Sequence, residues 1–121
     1  MRHYDSVDIK LLESILDKYG IKLKEEKHYK LALTHSSYAN EHNLDSNERI
    51  EFLGDAILGL LVAEYIYTNF KDMQEGKMSK LRATYVCEDA NAKYAKEIGS
   101  DKLILLGRGE EATGGRTRPA I

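Results

Sequence analysis

The chain has 121 residues, of which 42% are hydrophobic and 31% charged, and this suits one compact domain with a well-solvated surface. A formal net charge of −2 argues against a uniformly basic nucleic-acid-binding protein, although residues 71–121 carry 10 Lys+Arg against 8 Asp+Glu. The single cysteine, Cys87, excludes an internal disulfide and a cysteine metal cluster. We expect a small buried Cys87, a reducing cytoplasmic setting and, without any long apolar run, no membrane span.

A first helix is predicted near the N-terminus. Asp5 or Ser6 can provide its N-cap, because short polar side chains accept hydrogen bonds from the free amides of a first turn. Gly20 marks its end, since glycine readily adopts the left-handed conformation that follows many helices. Apolar residues spaced three and four apart predict its buried stripe, which consists of Val7, Leu11, Leu12, Ile15 and Leu16.

The next segment predicts a short helix, a loop and a long helix. The short helix covers residues 28–37, and the polar residues 38–46 form the loop. Ser46 or Asn47 then caps a long, mostly apolar helix that runs to about Phe70.

The rest of the chain continues the helical pattern. Residues 77–99 predict one bent helix or two consecutive helices, with Gly99 as the stop. The apolar run 102–107 has no obvious pairing partner, so we interpret it as a loop or short helix. Residues 107–121 are glycine-rich and basic, and Pro119 favours the first turn of a further helix. The predicted fold is all-α, with five or six helices around one buried central helix.

Three carboxylates stand in the first turns of the long helix. At about 100° per residue, Glu48, Glu51 and Asp55 fall within about 60° of one another. One interpretation is an exposed acidic helix start, which the helix dipole favours. The other is a site for a hard divalent cation such as Mg²⁺, because acids at i and i+4 present oxygen ligands to one point and like charges there otherwise repel. The spacing leaves both interpretations open.

The stretch NERIEFLGDAIL, residues 47–58, resembles the signature motif of the ribonuclease III family. The flanking segments agree in order: ALTHSSYANEHN before it, then EGKMSKLRATYV and LLGRGEEATGGRTRPAI after it. The resemblance covers roughly residues 28–121. It implies the all-α ribonuclease III domain fold, a homodimer, and cleavage of both strands of duplex RNA with Mg²⁺, for which Mn²⁺ can substitute. The implied products carry 5′-phosphate and 3′-hydroxyl ends with short 3′ overhangs, in a role such as ribosomal precursor processing.

The resemblance also implies roles for individual residues. Glu51 and Asp55 match the metal-binding catalytic acids of the signature, and Glu48 and Glu64 match supporting acids. Helical geometry places Glu64 away from the acidic stripe, so we do not expect it to bind the same ion. Phe52 matches an aromatic residue that fills a socket on the partner subunit. From the residues alone, an ordinary core phenylalanine remains open.

The chain departs from the family pattern at its end. The family completes its metal site with a later Asp and Glu, in the motif Ile-Leu-Ala-Asp-x-x-Glu, whereas this chain ends at Ile121. We therefore expect residues 1–121 to be an incomplete catalytic domain, without the second pair of acids and without a double-stranded-RNA-binding domain.

Other polar residues have weaker signals. His35 fits a hydrogen-bonded structural histidine near a helix end better than a general base. Gly114 and Gly115 allow the backbone to approach a ligand closely. Duplex RNA is recognised largely through its shape and its phosphates, so scattered basic residues are candidates for RNA contacts. They are Lys77, Lys80, Arg82, Arg108, Arg116 and Arg118.

The sequence therefore leaves three functions open. The first is a metal-dependent endoribonuclease domain that acts on duplex RNA as a dimer. The second is a non-catalytic module that binds RNA or dimerises, which the absent acids favour. The third is a helical interaction module whose acidic stripe is only surface.

Overall fold

The computed structural model describes residues 7–119 and 121, and these residues form seven α-helices with two short 3₁₀ turns. The all-α prediction is confirmed. No helix among the described residues is long and apolar enough to cross a membrane. The helices are α1 Ile9–Lys18, α2 Glu26–Ala32, α3 Ser36–His42, α4 Glu48–Asn69, α5 Glu75–Val86, α6 Glu88–Ile98 and α7 Arg108–Ala112, and the 3₁₀ turns are Ser100–Lys102 and Gly115–Thr117.

Helix α1 begins at an aspartate other than the predicted cap. Asp5 and Ser6 lie outside the described residues, and Asp8 provides the N-cap by accepting a hydrogen bond from the Leu11 N–H at 3.0 Å. The end matches the prediction, because Gly20 follows α1 with a left-handed φ of 69°.

The core lies where α1 meets the segment after α6. Leu12 and Ile15 of α1 are buried together with Leu103, and Leu33 and Ile98 pack against them. This cluster packs α1 against the segment between α6 and α7, and it supports that segment just before α7 begins.

The predicted helix over 28–37 is wrong, because the chain breaks it into α2 and α3. Thr34, which is fully buried, forms an isolated parallel bridge with Leu105. The His35 N–H donates to the Leu105 carbonyl at 3.1 Å, and the Leu105 N–H donates to the Leu33 carbonyl at 2.8 Å. A residue that pairs with a distant segment in this way cannot continue the helical hydrogen bonding. The run 102–107 therefore does have a pairing partner.

The predicted loop over 38–46 is correspondingly too long. Helix α3 extends to His42 and ends at Asn43, which has a left-handed φ of 53°. Asparagine tolerates this conformation better than most residues.

Helix α4 has the predicted bounds. The Glu48 N–H donates to the Ser46 hydroxyl at 3.3 Å, while the Asn47 side chain donates to the Ala32 carbonyl at 3.0 Å. Asn47 is the N-cap residue and ties the start of the helix to α2, while the Ser46 hydroxyl accepts from the first helical amide. Phe70 ends the helix.

The expectation that this central helix is buried is wrong for the described part of the chain. Helices α2 and α5 pack against α4, yet within α4 only Ile66 is buried. Val62 and Ile66 lie within about 20° of Asp55 on the helical wheel, so the covered face continues the acidic stripe. The opposite, apolar side of α4 is exposed.

Residues 75–98 form two consecutive helices, which was one of the two predicted arrangements. The chain turns at Cys87, which is extended (φ −72°, ψ 164°) and exposed, so the expected buried thiol is wrong. The Tyr94 hydroxyl donates to the Tyr85 carbonyl at 2.9 Å and thereby links α5 to α6. Arg118 before Pro119 is extended (φ −80°, ψ 132°), as an N-cap residue is, and because Ala120 lies outside the described residues the predicted helix start near Pro119 stays a prediction.

Candidate active site

The signature acids lie at the N-terminal end of α4. Glu48 and Glu51 occupy the first turn, Asp55 follows one turn later, and all three side chains are exposed. The amides of a first turn give this end of the helix a partial positive charge, which favours the carboxylates. Solvent exposure leaves their oxygens accessible to an ion.

A groove of about 550 Å³ runs beside these acids. Glu48, Glu51 and Gly54 line it from α4, and Asp55 directly follows Gly54. Residues at the α2–α3 junction and in the segment 101–104 also line it, and helix α6 and the segment after α7 form the rest of its wall. Residues from these two segments include Glu88, Asn91, Lys96, Arg116, Thr117 and Arg118.

Glu51 and Asp55 fit a partial site for a divalent cation. Both carry the hard oxygen donors that Mg²⁺ prefers, one helical turn apart and exposed. Among the described residues, no group of three or more His, Cys, Asp or Glu side chains is close enough to hold a metal ion. The protein ligands suggested by these residues are therefore two carboxylates, and water would have to complete the shell.

Glu64 does not join this pair. It is exposed on α4, about 180° around the helix from Asp55. Its neighbours on that side include the exposed Leu60 and Leu61. That Glu64 does not bind the same ion stays a prediction.

Phe52 is 81% exposed, so the interpretation as an ordinary core phenylalanine is wrong. It borders an apolar face of α4 that the described residues leave uncovered. A contiguous exposed apolar face of this kind is typical of an interaction surface. The other exposed apolar residues of α4 are Leu53, Ile57, Leu60, Leu61, Tyr65 and Tyr67.

Five of the six basic candidates are exposed, all except Arg116, and Arg118 is described below with its partners. Lys77, Lys80 and Arg82 lie on α5, and Arg108 begins α7. They are placed on elements other than α4, and their charges face solvent. Their contact with RNA remains a prediction.

Arg116 has a structural role that the sequence did not reveal. Its Nε donates to Glu111 Oε1 at 3.0 Å, and its Nη1 donates to the carbonyls of Asp101 at 3.0 Å and Ile104 at 2.7 Å. The hydrogen bond from Arg116 lowers the pKa of the Glu111 carboxyl, and the same bond raises the pKa of the guanidinium. Arg116 is therefore an internal link, and its contact with RNA stays a prediction.

Arg118 is engaged in a similar way. Its Nη1 donates to Glu110 Oε2 at 2.8 Å, and its Nη2 donates to the Thr113 carbonyl at 2.7 Å. These bonds hold the guanidinium against α7 and the turn after it. Arg118 is half exposed, but its donors are directed at the chain itself, so it is a weaker RNA candidate than the sequence indicated.

Gly114 and Gly115 allow the backbone to pack closely against another part of the same chain, at Glu110. Gly114 is left-handed (φ 79°), and Gly115 is buried with its Cα facing Glu110. An alanine Cβ at position 115 would lie 2.7 Å from the Glu110 carbonyl oxygen. The pair therefore folds the segment back onto α7.

His35 is the hydrogen-bonded structural histidine that was predicted. It caps α3, where its Nδ1 accepts from the Ser37 N–H at 3.2 Å and lies 2.8 Å from the Ser37 hydroxyl. Sequence analysis missed Ser37 and Glu41. The Ser37 hydroxyl accepts from the Gly107 N–H, and Glu41 accepts from the Arg108 N–H at 2.6 Å, so together they hold the start of α7. No local pattern marks contacts made across about 70 residues.

Comparison with known proteins identifies the family. A family model described as Ribonuclease-III-like matches residues 25–121. The chain is 49% identical over 118 residues to Ribonuclease 3 of Enterococcus faecalis, covering 95% of this chain and 51% of that protein. It is 52% identical over 118 residues to Ribonuclease 3 of Oceanobacillus iheyensis, covering 95% of this chain and 50% of that protein. The chain thus spans about half the length of the curated relatives it matches.

Solved structures show the same relationship. A nuclease domain of ribonuclease III from Campylobacter jejuni, described for its flexible region involved in dimer formation, superposes with a TM-score of 0.80 at 38% identity. The match covers 90% of this chain and 74% of that one. A crystal structure of the nuclease domain from the same organism gives a TM-score of 0.79 at 39% identity. The helices described above are therefore those of a ribonuclease III nuclease domain fold, and the chain belongs to the ribonuclease-III-like family.

Proposed function

We propose that this chain is the nuclease domain of a metal-dependent endoribonuclease that cleaves double-stranded RNA. The observation that carries the proposal is the exposed acid pair Glu51 and Asp55, of which Glu51 lines an open groove, at positions that match the family signature. The family relationship supports the reaction class, and the carboxylates support the choice of Mg²⁺, with Mn²⁺ as a substitute.

In the proposed reaction, Glu51 and Asp55 would hold the ion. When bound, a divalent cation supplies positive charge that stabilises the developing charge on a phosphoryl group and acidifies a nearby water. Glu48 lines the groove next to Glu51, so its carboxylate adds negative charge that favours a cation there. The family products, 5′-phosphate and 3′-hydroxyl ends with short 3′ overhangs, are the expected outcome.

Duplex RNA would be contacted mainly through its phosphates. The exposed side chains of Lys77, Lys80, Arg82 and Arg108 can each donate to a phosphate oxygen without breaking a contact described above. A-form RNA is recognised mainly by shape, 2′-hydroxyls and phosphates, so a concentrated basic patch is not required.

A homodimer is the proposed working form. Phe52 and the exposed apolar face of α4 would be covered by a second copy of the chain. Support comes from the Campylobacter jejuni neighbour, whose description refers to dimer formation of its nuclease domain. Two copies would present one acid pair to each strand of a duplex.

The substitution Asp55→Asn tests the assignment, because it removes the charge and keeps the shape of the side chain. In the natural-length protein we expect it to abolish cleavage of a long RNA duplex while the helical content and most RNA retention persist. Asp72→Asn is the matched control, since Asp72 is an exposed aspartate in the turn after α4. Normal cleavage by the Asp55 variant would show that the catalytic assignment is wrong.

A non-catalytic module that binds RNA or dimerises is the second candidate. The observation in its favour is that no third metal ligand accompanies Glu51 and Asp55 among the described residues. RNA retention without cleavage by the natural-length protein, in Mg²⁺ and in Mn²⁺, would favour this candidate.

A further inference from the structure

One guanidinium joins three separate parts of the chain. Arg116 contacts Glu111 at the end of α7, the Asp101 carbonyl in the 3₁₀ turn, and the Ile104 carbonyl beside the bridge to Thr34. Its side chain is only 29% exposed. Each of the three guanidinium nitrogens, Nε, Nη1 and Nη2, donates a hydrogen bond within the protein.

The residues that Arg116 joins also form one wall of the groove. Asp101, Ile104 and Arg116 line it, together with Thr117, Arg118, Pro119 and Ile121. Glu48 and Glu51 line the groove from α4. The bonds of Arg116 therefore tie this wall to Asp101 and Ile104, which line the same groove as the acids.

We propose that Arg116 is a positioning residue for the reaction, which holds the wall formed by residues 116–119 and 121 at a fixed distance from the acids of α4. This proposal rests on the proposed function. A planar guanidinium can bond a carboxylate through two nitrogens while it donates to two carbonyls, and a lysine ammonium cannot reproduce that geometry. Small displacements of groups that orient a substrate can reduce the rate by about 100-fold.

Arg118 offers a comparison of the same chemical kind. Its bonds to Glu110 and to the Thr113 carbonyl stay within α7 and the turn that follows. They do not reach residues 101–104. Replacing Arg118 by lysine therefore perturbs the same loop and keeps its charge, but it leaves the link across the groove wall intact.

The test uses the natural-length protein and steady-state cleavage of an RNA duplex in Mg²⁺. For Arg116→Lys we expect kcat to fall about 10-fold or more, with KM for RNA changed less than about 2-fold, because the charge is kept and positioning is lost. For Arg118→Lys we expect a smaller fall in kcat than for Arg116→Lys, because the link to residues 101–104 stays intact. Equal kcat for Arg116→Lys and the unchanged protein would overturn the proposal, and so would an equal loss in both variants.

A charge exchange separates positioning from simple ion pairing. The double variant Glu111→Arg with Arg116→Glu restores opposite charges but points a carboxylate at two carbonyl oxygens. We expect the kcat of this double variant to stay well below that of the unchanged protein. Full recovery would show that an ion pair suffices, and it would overturn the role assigned to the bonds with Asp101 and Ile104.

Hydrogen exchange tests the link without using activity. The amides of Leu103, Thr117 and Arg118 donate to backbone carbonyls in the segments that Arg116 joins. We expect Arg116→Lys to speed their exchange more than Arg118→Lys does, and equal exchange would contradict the link. If the unchanged protein cut no RNA, the proposed function would fail and the catalytic role of Arg116 with it, while exchange would still report whether the link exists.

Discussion

Gly107 lies directly against Ser37, although 70 residues separate them in the sequence: the Gly107 N–H donates to the Ser37 hydroxyl at 2.8 Å. Gly107 is buried, and its backbone is extended (φ −64°, ψ 160°), a conformation open to any residue. The glycine is therefore required for space. This contact fixes the start of α7 and, through it, the segment that ends in the groove wall.

The first prediction follows from that space. An alanine Cβ at position 107 would lie 2.7 Å from the Ser37 carbonyl oxygen, so Gly107→Ala should destabilise the fold by about 1–3 kcal/mol. Urea unfolding measures this difference. Gly109→Ala is the matched control, because that position lies within α7 with nothing within 4 Å of the new methyl group. It should be neutral or stabilising by about 0.5–1 kcal/mol, and equal losses in both variants would contradict the packing described.

The covered face of α4 gives a second prediction. Ile66 is 1% exposed, so Ile66→Ala should lower the free energy of unfolding by about 2–5 kcal/mol. The loss should be independent of protein concentration when measured on the monomeric chain. A change below about 1 kcal/mol would mean that this face of α4 is not the packed one.

Phe52 should behave in the opposite way. Because 81% of it is exposed, Phe52→Ala should change the stability of the isolated monomer by no more than about 0.5 kcal/mol. In the natural-length protein it should weaken self-association, and sedimentation over a range of concentrations measures this. Undiminished dimerisation of the variant would show that Phe52 lies outside the interface.

The Glu111–Arg116 pair predicts a pH dependence. Arg116 holds the pKa of Glu111 below its ordinary value of 4.5 in the folded chain, so the pair contributes stability above the unfolded pKa. That contribution is lost as pH falls through the lowered folded pKa. Urea midpoints should therefore separate the unchanged chain from Glu111→Gln at pH 7, and the separation should shrink at pH values well below about 4. A separation that stays constant over this range would contradict the predicted linkage.

The elements that were predicted correctly have strong local patterns. Helix α4 combines the polar residues Ser46 and Asn47 before its start with a largely apolar sequence, so its bounds follow from neighbours in sequence. The break between α2 and α3 follows instead from the pairing of Thr34 with Leu105. Tertiary contacts of this kind override local helix preference, and a single sequence does not display them.

The residues of the site could be predicted from the sequence, but much of the structure around them could not. The spacing of Glu51 and Asp55 follows directly from helical geometry, and their matching to the signature supports the same pair. Which face of α4 is covered could not be deduced, because apolar residues surround most of the helix beyond its second turn. Arg116 looked like a surface charge because its partners, two carbonyl groups and Glu111, become adjacent only after folding.

The most direct test of the central claim is cleavage of a long RNA duplex by the natural-length protein, first with Mg²⁺ and then with EDTA. The account predicts staggered cuts with 5′-phosphate and 3′-hydroxyl ends in Mg²⁺, and no cuts after chelation or in Asp55→Asn. Cleavage that persists in EDTA, or an intact duplex in Mg²⁺, would contradict it.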